Sequence, residues 1–249
     1  MNTPFGSLCA PLPAIVLLFM TLLITGCAAR EHSRSVEVQI PCGDNLLKNP
    51  SFEEGPFQGS RDDPAVMVIK NGSNAVAPWV VNNIVGDQGP RPNFFWVANG
   101  NQRGLVASER DHFLLFTRQT SETTGGYPVI SQEVPLLTSG SFILTFDIGQ
   151  QPPSPNANVS KLAVGVGSDC GLPTVRQFFI GPVASGATWQ PQMVKFDLLP
   201  PLFPAPGCFI YIEFMAVDNP APGAEESYVS LDNLSLKRLQ SVGECVAAK

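Results

Sequence analysis

The chain has 249 residues, a formal net charge of −6, 44% hydrophobic residues and only 14% charged residues. Its 15 basic residues do not cluster, which excludes a nucleic-acid-binding protein and a protein held on an anionic membrane by charge. The 22 Gly and 24 Pro exceed what a helical protein carries but stay below the level typical of disorder. The composition therefore favours one all-β domain of short strands joined by turns.

The N-terminus has the features of an export signal. Residues 1–29 carry no charged side chain, and 14–25 are continuously apolar, a run too short to span a bilayer but typical of a secretory signal. The run ends in LITGC at 23–27, which resembles the lipobox of bacterial lipoproteins. That resemblance implies a signal peptide at 1–26, a lipid on Cys27, a membrane tether at 27–43 and a place in the cell envelope. Because Ala28 follows, it implies the outer membrane. An ordinary cleaved signal is the alternative.

Four cysteines remain for the exported domain, namely Cys42, Cys170, Cys208 and Cys245. In an exported protein they predict two disulfides, for which three pairings exist. We favour Cys42–Cys245, which would join the ends of the domain, together with Cys170–Cys208. A free buried pair is the alternative, and no cysteine lies in the spacing of a zinc site.

Residues 44–239 predict a single β domain without a repeat or a linker, followed by a tail at 240–249. SFILTFDIG at 141–149 and QMVKFDL at 192–198 alternate apolar and polar residues, as half-buried strands do. CFIYIEFMAV at 208–217 is nearly all apolar and predicts a central strand covered on both faces.

The last predicted strand, YVSLDNLSLK at 228–237, changes the parity of its apolar residues across Asp232 and Asn233. A strand with one buried face does this only through a bulge or a kink. Because a bulge exposes carbonyl groups and re-aims a side chain, Asp232 is a candidate cation ligand.

Four segments together resemble the galactose-binding-like β-sandwich class. They are NLLKNPSFEEG at 45–55, PWVV around Trp79, VISQEV followed by FILTFDIG, and YVSLDNLSL. The most similar members are CenC-type carbohydrate-binding modules and plant cell-wall proteins of the same jelly-roll architecture. The resemblance implies one jelly-roll sandwich and a structural Ca²⁺ held by Glu53, Asp232 and main-chain carbonyls, which are normal calcium ligands. The alternative makes Glu53 a solvated carboxylate and Asp232 a turn former.

A sugar site needs flat aromatic faces and planar polar groups. The loop after NFFW at 93–96 has this composition, and other rings and polar groups follow along the chain. We expect a ligand site lined by Trp96, Asn99, Arg103, Arg118, Tyr127 and Trp189. Gln132 is a further candidate, and Trp79 is expected in the core.

No catalytic pattern is evident. The adjacent pairs Glu53/Glu54 and Glu225/Glu226 would project to opposite faces of a strand and cannot flank one bond. The chain has no GxSxG, HExxH or P-loop motif, and Asp111-His112 has the character of a surface pair. Glu213 is expected to be a satisfied carboxylate or an acceptor for a sugar hydroxyl. The sequence thus predicts a non-catalytic glycan-binding module, or alternatively a structural or adhesive envelope protein that binds another protein and has no sugar site.

Overall fold

The computed structural model describes residues 38–83, 94–119, 128–135, 139–150, 162–168, 176–180, 186–198, 209–216 and 226–247. Within these ranges the chain forms twelve strands and one short helix. They are β1 Gln39–Cys42, β2 Val66–Ile69, β3 Val80–Asn83, β4 Phe94–Ala98, β5 His112–Gln119, β6 Pro128–Pro135, β7 Gly140–Gln150, β8 Leu162–Ser168, β9 Arg176–Ile180, β10 Gly186–Leu198, β11 Phe209–Ala216, β12 Glu226–Ser241 and α1 Val242–Ala247. No helix of the described ranges has the length and apolar character needed to cross a membrane.

The strands form two antiparallel sheets. The larger sheet has six strands in the order β10-β7-β12-β5-β4-β2, and β1 pairs with β12 as its seventh strand. The smaller sheet has five strands in the order β3-β6-β11-β8-β9. The pairs β5·β12, β6·β11, β7·β10 and β8·β9 are nested, each enclosing the next. Nested pairing across two sheets is the jelly-roll arrangement, so the predicted all-β, single jelly-roll sandwich is confirmed.

The main core lies between the sheets and follows from the period-two alternation. Trp79 belongs to it with 1% of its surface exposed, and its indole N–H donates to the carbonyl of Asn49 at 3.0 Å. Burying a large apolar side chain stabilises a fold by about 1.5–3 kcal/mol. The inward residues of the predicted strand in β7 are all buried: Phe142, Leu144, Phe146 and Ile148.

The outer face of the seven-stranded sheet is divided into two halves. Over β4 and β5 the loop 99–111 folds back, and its Leu105 packs in a second apolar cluster with Val97, Phe113, Leu115 and Tyr228. Over β7, β10 and the end of β12 the outward side chains of β10, such as Met193 and Lys195, are exposed. The loop therefore covers only one half of this face.

The predicted bulge in the last strand is confirmed. The register of β12 against β7 shifts between Asp232 and Ser235, and Asn233 has a φ of 52°, a left-handed conformation that Asn tolerates better than most residues. The shift lets both Leu231 and Leu234 point into the core. The bulge also brings the backbone N–H of Leu234 to the carbonyl of Pro50, at 3.0 Å.

The sandwich extends beyond both predicted boundaries. β1 lies in the segment predicted as a tether, yet it pairs with β12 from Gln39 to Cys42. Helix α1 lies in the predicted tail, and its Cys245 forms a disulfide with Cys42, with an S–S distance of 2.04 Å. The first strand and the C-terminal helix of the described residues are thus linked covalently.

The disulfide should contribute measurably to stability. It joins residues 203 positions apart and so restricts the unfolded chain strongly. We expect the double variant Cys42→Ser/Cys245→Ser to lose about 2–5 kcal/mol of unfolding free energy in urea titrations. Val246→Ser, an exposed change on the same helix, is the control. A loss as small as that of the control would contradict the assigned role.

Candidate functional site

Asp232 lies at the bulge, where β12 meets the loop 99–111. Its side chain has 0% of its surface exposed. Oδ2 accepts hydrogen bonds from the backbone N–H groups of Ser108 and Glu109 at 2.8 and 2.9 Å. Oδ1 accepts one from the N–H of Asn233 at 2.7 Å. The carboxylate therefore holds the loop onto the closing strand.

Glu53 does the same a few residues further along the loop. Its Oε1 accepts hydrogen bonds from the backbone N–H groups of Asp111 and His112, both at 2.9 Å. Together Glu53 and Asp232 bind four N–H groups of residues 108–112, which precede or begin β5. We call this arrangement, Glu53 and Asp232 with the N–H groups of residues 108, 109, 111 and 112, the carboxylate clip. The two carboxylates provide acceptors for backbone N–H groups at the start of β5 that would otherwise lack hydrogen-bond partners.

His112 lies in surroundings that differ from the predicted surface pair with Asp111. Its Nδ1 lies 2.7 Å from Oε2 of Glu53. Its ring packs against both Phe57 and Trp96, with centroid distances of 5.0 and 5.3 Å. It is thus not simply one half of a surface pair with Asp111. Glu53 and His112 are 59 residues apart, and no sequence pattern connects them.

Burial raises the pKa of Asp232 from 3.8 to about 7. The hydrogen bonds from Glu109, Asn233 and Ser108 oppose this shift, and the nearby negative charge of Glu53 adds to it. No ion pair of the described residues includes Asp232. The carboxyl group therefore carries its proton over part of the neutral pH range unless a cation compensates its charge.

The clip offers calcium only part of a ligand set. Nowhere in the described ranges are three or more His, Cys, Asp or Glu side chains grouped to hold a metal ion. Of the clip oxygens, Oδ1 of Asp232 and Oε2 of Glu53 each have one nitrogen partner within the described ranges, so each could still offer a lone pair to an ion. Because Ca²⁺ takes six to eight oxygens, main-chain carbonyls and water molecules would have to supply the rest. Calcium at Glu53 and Asp232 stays a prediction.

The described residues that were predicted to bind sugar lie in different surroundings. Trp96 is wholly buried because it alternates with the outward residues of β4, so the prediction that its ring faces a ligand is wrong. Asn99 fastens its own loop, since Nδ2 donates to the carbonyl of Arg110 and Oδ1 accepts from the N–H of Ala107, both at 2.8 Å. Trp189 is half-buried on the outer side of the seven-stranded sheet, where Nε1 donates to the carbonyl of Val106 at 2.9 Å.

The other predicted residues divide into three groups. Arg103 is exposed on the loop. Gln132 is buried, and its side chain exchanges two hydrogen bonds with the backbone of Lys48, at 2.8 and 3.0 Å, so it is structural. The rest lie outside what the structure describes: Cys27, Tyr127, the pair Cys170–Cys208 and the side chain of Arg118.

A different set of side chains faces outward at the centre of the five-stranded sheet. β11 was predicted to be covered on both faces, but its residues alternate between buried and half-buried, so that prediction is wrong. The buried ones enter the main core. The half-buried ones form what we call the β11 row: Phe209, Tyr211, Glu213 and Met215.

The neighbouring strand β8 makes room for this row. Ala163, Gly165 and Gly167 lie opposite Met215, Glu213 and Tyr211 in the register. A Cβ atom at Gly165 would lie 3.1 Å from Oε2 of Glu213. The Glu213 carboxylate therefore leans over a strand of small residues, a feature that the sequence signalled in LAVGVGS at 162–168 but that pattern reasoning did not connect with Glu213.

Comparisons with known proteins identify the fold and leave the function open. No family model matches the chain, and no curated protein matches it. A Stig cyclase from Fischerella sp. TAU, in complex with (3Z)-3-(1-methyl-2-pyrrolidinylidene)-3H-indole, is similar at a TM-score of 0.53 and 16% identity, over 82% of this chain and 99% of that one. At this identity the similarity shows the fold alone.

Carbohydrate-binding modules are also among the similar structures. TmCBM61, in complex with β-1,4-galactotriose, has a TM-score of 0.46 at 18% identity, over 79% of this chain and 99% of that one. The CBM22-1 xylan-binding domain of Paenibacillus barcinonensis Xyn10C has a TM-score of 0.42 at 14% identity, over 82% and 99%. The strand pairing and the similarity to the cyclase together define the protein as a jelly-roll β-sandwich.

The raised pKa of Asp232 gives a pH dependence that can be measured. Between 3.8 and about 7 the folded protein holds a proton that the unfolded chain has released. The free energy of unfolding should therefore fall as the pH rises through this interval, by up to roughly 4 kcal/mol from this group, and then level off. In Asp232→Asn that decline should be absent.

The measurement is urea unfolding across this pH range with a chelator present. Asp197→Asn changes an exposed carboxylate of the same sheet and serves as the control, which should follow the wild type. A decline of unchanged size in Asp232→Asn would show that another group causes it.

Proposed function

We propose that the protein is a non-catalytic glycan-binding module whose sugar site is the β11 row. The observation that carries this proposal is the composition of the row on the central strand: two aromatic rings, a carboxylate and a thioether on one outward face. Successive same-face residues are about 6.7 Å apart, so the row extends over about 20 Å. That length suits an extended oligosaccharide better than a single compact ligand.

The groups of the row suit the two sides of a sugar ring. Aromatic faces pack against its C–H side, and a carboxylate accepts hydrogen bonds from its hydroxyls. Ser131 of β6 lies opposite Glu213 in the register and adds a hydroxyl on the other side. Gly165 leaves the carboxylate room to lie flat. The row thus combines an apolar surface with a positioned acceptor.

The non-catalytic character of the proposal rests on Asp232. Cyclases share this fold, so the architecture itself permits catalysis. A proton donor at neutral pH needs a raised pKa and access to its substrate. Asp232 is the carboxyl group among the described residues with a pKa raised to about 7, yet its side chain is wholly buried. It therefore stabilises the loop and is not in a position to act on a ligand.

The proposal includes a calcium ion at the clip. Asp232 is a buried carboxyl group close to Glu53, without a cationic partner among the described ion pairs. A divalent cation would compensate both charges and add a further bond between the N-terminal segment and the closing strand. Its contribution would be structural, and the sugar site would not depend on it directly.

The proposal also includes export and a lipid anchor. The lipobox-like segment that ends at Cys27 supports acylation there, and residues 28–37 would then act as the tether to an outer-membrane surface. The disulfide between Cys42 and Cys245 supports an oxidising compartment. A glycan partner and an envelope location are mutually consistent.

A protein-binding envelope role without a sugar site is the second candidate. It is favoured by the burial of Trp79 and Trp96, which removes two of the three tryptophans from any surface. Under this reading the β11 row would contact another protein, and no glycan would bind.

A glycan array followed by calorimetry decides between the two candidates. We expect saturable binding of an oligosaccharide that Glu213→Gln weakens by about tenfold or more, because a hydrogen bond to a charged group is worth about 1.5–3 kcal/mol. Glu54→Gln, an exposed carboxylate remote in sequence from the row, should bind like the wild type. Absence of binding to every glycan, with a normal unfolding transition, would favour the second candidate.

The calcium proposal has its own test. Calcium should raise the melting temperature of the wild type above pH 7, and a chelator should reverse the rise, because only the folded clip binds the ion. The variant Glu53→Gln should not respond. Lys48→Met, an exposed change outside the clip, is the control. An equal calcium response in Glu53→Gln would place the ion elsewhere, and no response in the wild type would remove it from the proposal.

A further inference from the structure

A depression of about 310 Å³ lies on the outer face of the seven-stranded sheet, opposite the face that carries the β11 row. It is formed where β7 and β10 approach the bulge of β12, at the border of the half covered by the loop 99–111. Its lining includes Thr145 and Asp147 of β7, Pro191 and Met193 of β10, and Asn233 of the bulge. None of these residues belongs to the carboxylate clip or to the β11 row.

One wall of the depression is polar and held in place. Oδ2 of Asp147 accepts hydrogen bonds from the hydroxyl of Ser108 and from Nδ2 of Asn233, the latter at 3.0 Å. Among the described residues no donor contacts Oδ1, so this oxygen remains an acceptor. Asn233 is exposed, and the bulge fixes its backbone. The wall therefore presents a carboxylate oxygen and a carboxamide at adjacent, constrained positions.

The other wall is apolar. Met193 has 58% of its surface exposed, and Pro191 is exposed two residues earlier on the same strand. An exposed thioether beside a proline ring is unusual on a strand whose next outward residues are Lys195 and Asp197. The depression therefore has an apolar side facing a hydrogen-bonding side, as sites for small hydroxylated ligands do.

We propose that this depression is a second ligand site, which takes one neutral sugar residue at the end or branch of a glycan. Two hydroxyls would bond to Oδ1 of Asp147 and to the carboxamide of Asn233, while the C–H side of the ring packs on Met193 and Pro191. The charge of Asp147 disfavours an anionic ligand. Asp147 already accepts two hydrogen bonds, which reduces its affinity for a cation. Hydroxyl groups are therefore the ligand groups that suit this wall best.

The size of the depression limits the ligand to one unit. About 310 Å³ is at the lower end of the range for ligand pockets. The strip beyond it is closed by the side chains of Lys195 and Lys237, which lie on either side of buried Ile143 in the register. A longer glycan chain would have to leave the surface there. The depression therefore takes one sugar unit, whereas the β11 row suits an extended oligosaccharide.

The two sites lie on opposite faces of the sandwich. Because the sheets of a sandwich pack about 10 Å apart, one straight glycan chain cannot occupy both sites. Two occupied sites would therefore connect two chains, or two branches, and the protein would be a cross-linker with a gain in avidity. The second site does not require the first to bind sugar.

The test is a titration of the purified protein, followed by amide NMR signals, with the methyl glycosides of galactose, glucose, mannose and xylose. We expect at least one of them to shift the signals of residues 145–147, 191–193 and 233 saturably. Met193→Arg, which fills the depression without touching the clip, should abolish the shifts. Val106→Arg, an equally exposed position on the same side of the sheet that does not line the depression, should leave them unchanged. No saturable shift with any glycoside, or shifts that persist in Met193→Arg, would overturn the inference.

A variant of the other face separates this inference from the proposed function. Glu213→Gln should weaken oligosaccharide binding yet leave the methyl glycoside shifts intact. If Glu213→Gln removes those shifts as well, the second site does not exist. If Met193→Arg alone removes them, the second site stands even where no oligosaccharide binds the β11 row.

Discussion

The structure depends on two carboxylates that bind backbone N–H groups far away in the sequence. Glu53 and Asp232 together fasten residues 108–112, and this segment leads into β5. The loop that precedes it shields one half of the outer sheet face with Leu105. Through Ser108 it also contacts Asp147. The N-terminal segment, the covering loop and the closing strand are thereby fixed by one set of hydrogen bonds.

This arrangement has an electrostatic cost. Asp232 is removed from water, and the charge of Glu53 lies close enough to raise its pKa further. Three backbone N–H groups compensate only part of the lost hydration. A proton offsets the remainder by neutralising the group, and the proposed calcium ion would do the same. The hydrogen bonds of Asp232 thus hold the loop, while its protonation state, and with it part of the stability of the fold, depends on the pH.

The sequence predicts those features that depend on local periodicity. Alternation in 141–149 and 192–198 gives the inward faces of β7 and β10, and the parity change at Asp232 gives the bulge. It does not predict contacts made across the fold. In the sequence Gln132 is a candidate for ligand binding, but its side chain forms two hydrogen bonds with the backbone of Lys48. Trp96 follows a stretch with the composition of a loop, but it occupies an inward position on a strand. Whether an aromatic residue faces a ligand or the core is decided by the partner strand, and a single sequence does not contain that register.

The nested pairing also determines when the fold can be completed. β12 pairs with β1, β5 and β7, so the larger sheet stays divided until the last strand arrives. Contacts of this range form slowly because the loop between the partners must first be closed. A chain that has emerged without its C-terminal residues therefore has no complete sheet of seven strands. For an exported protein, as proposed above, such late closure would keep the larger sheet open until the C-terminal strand is available.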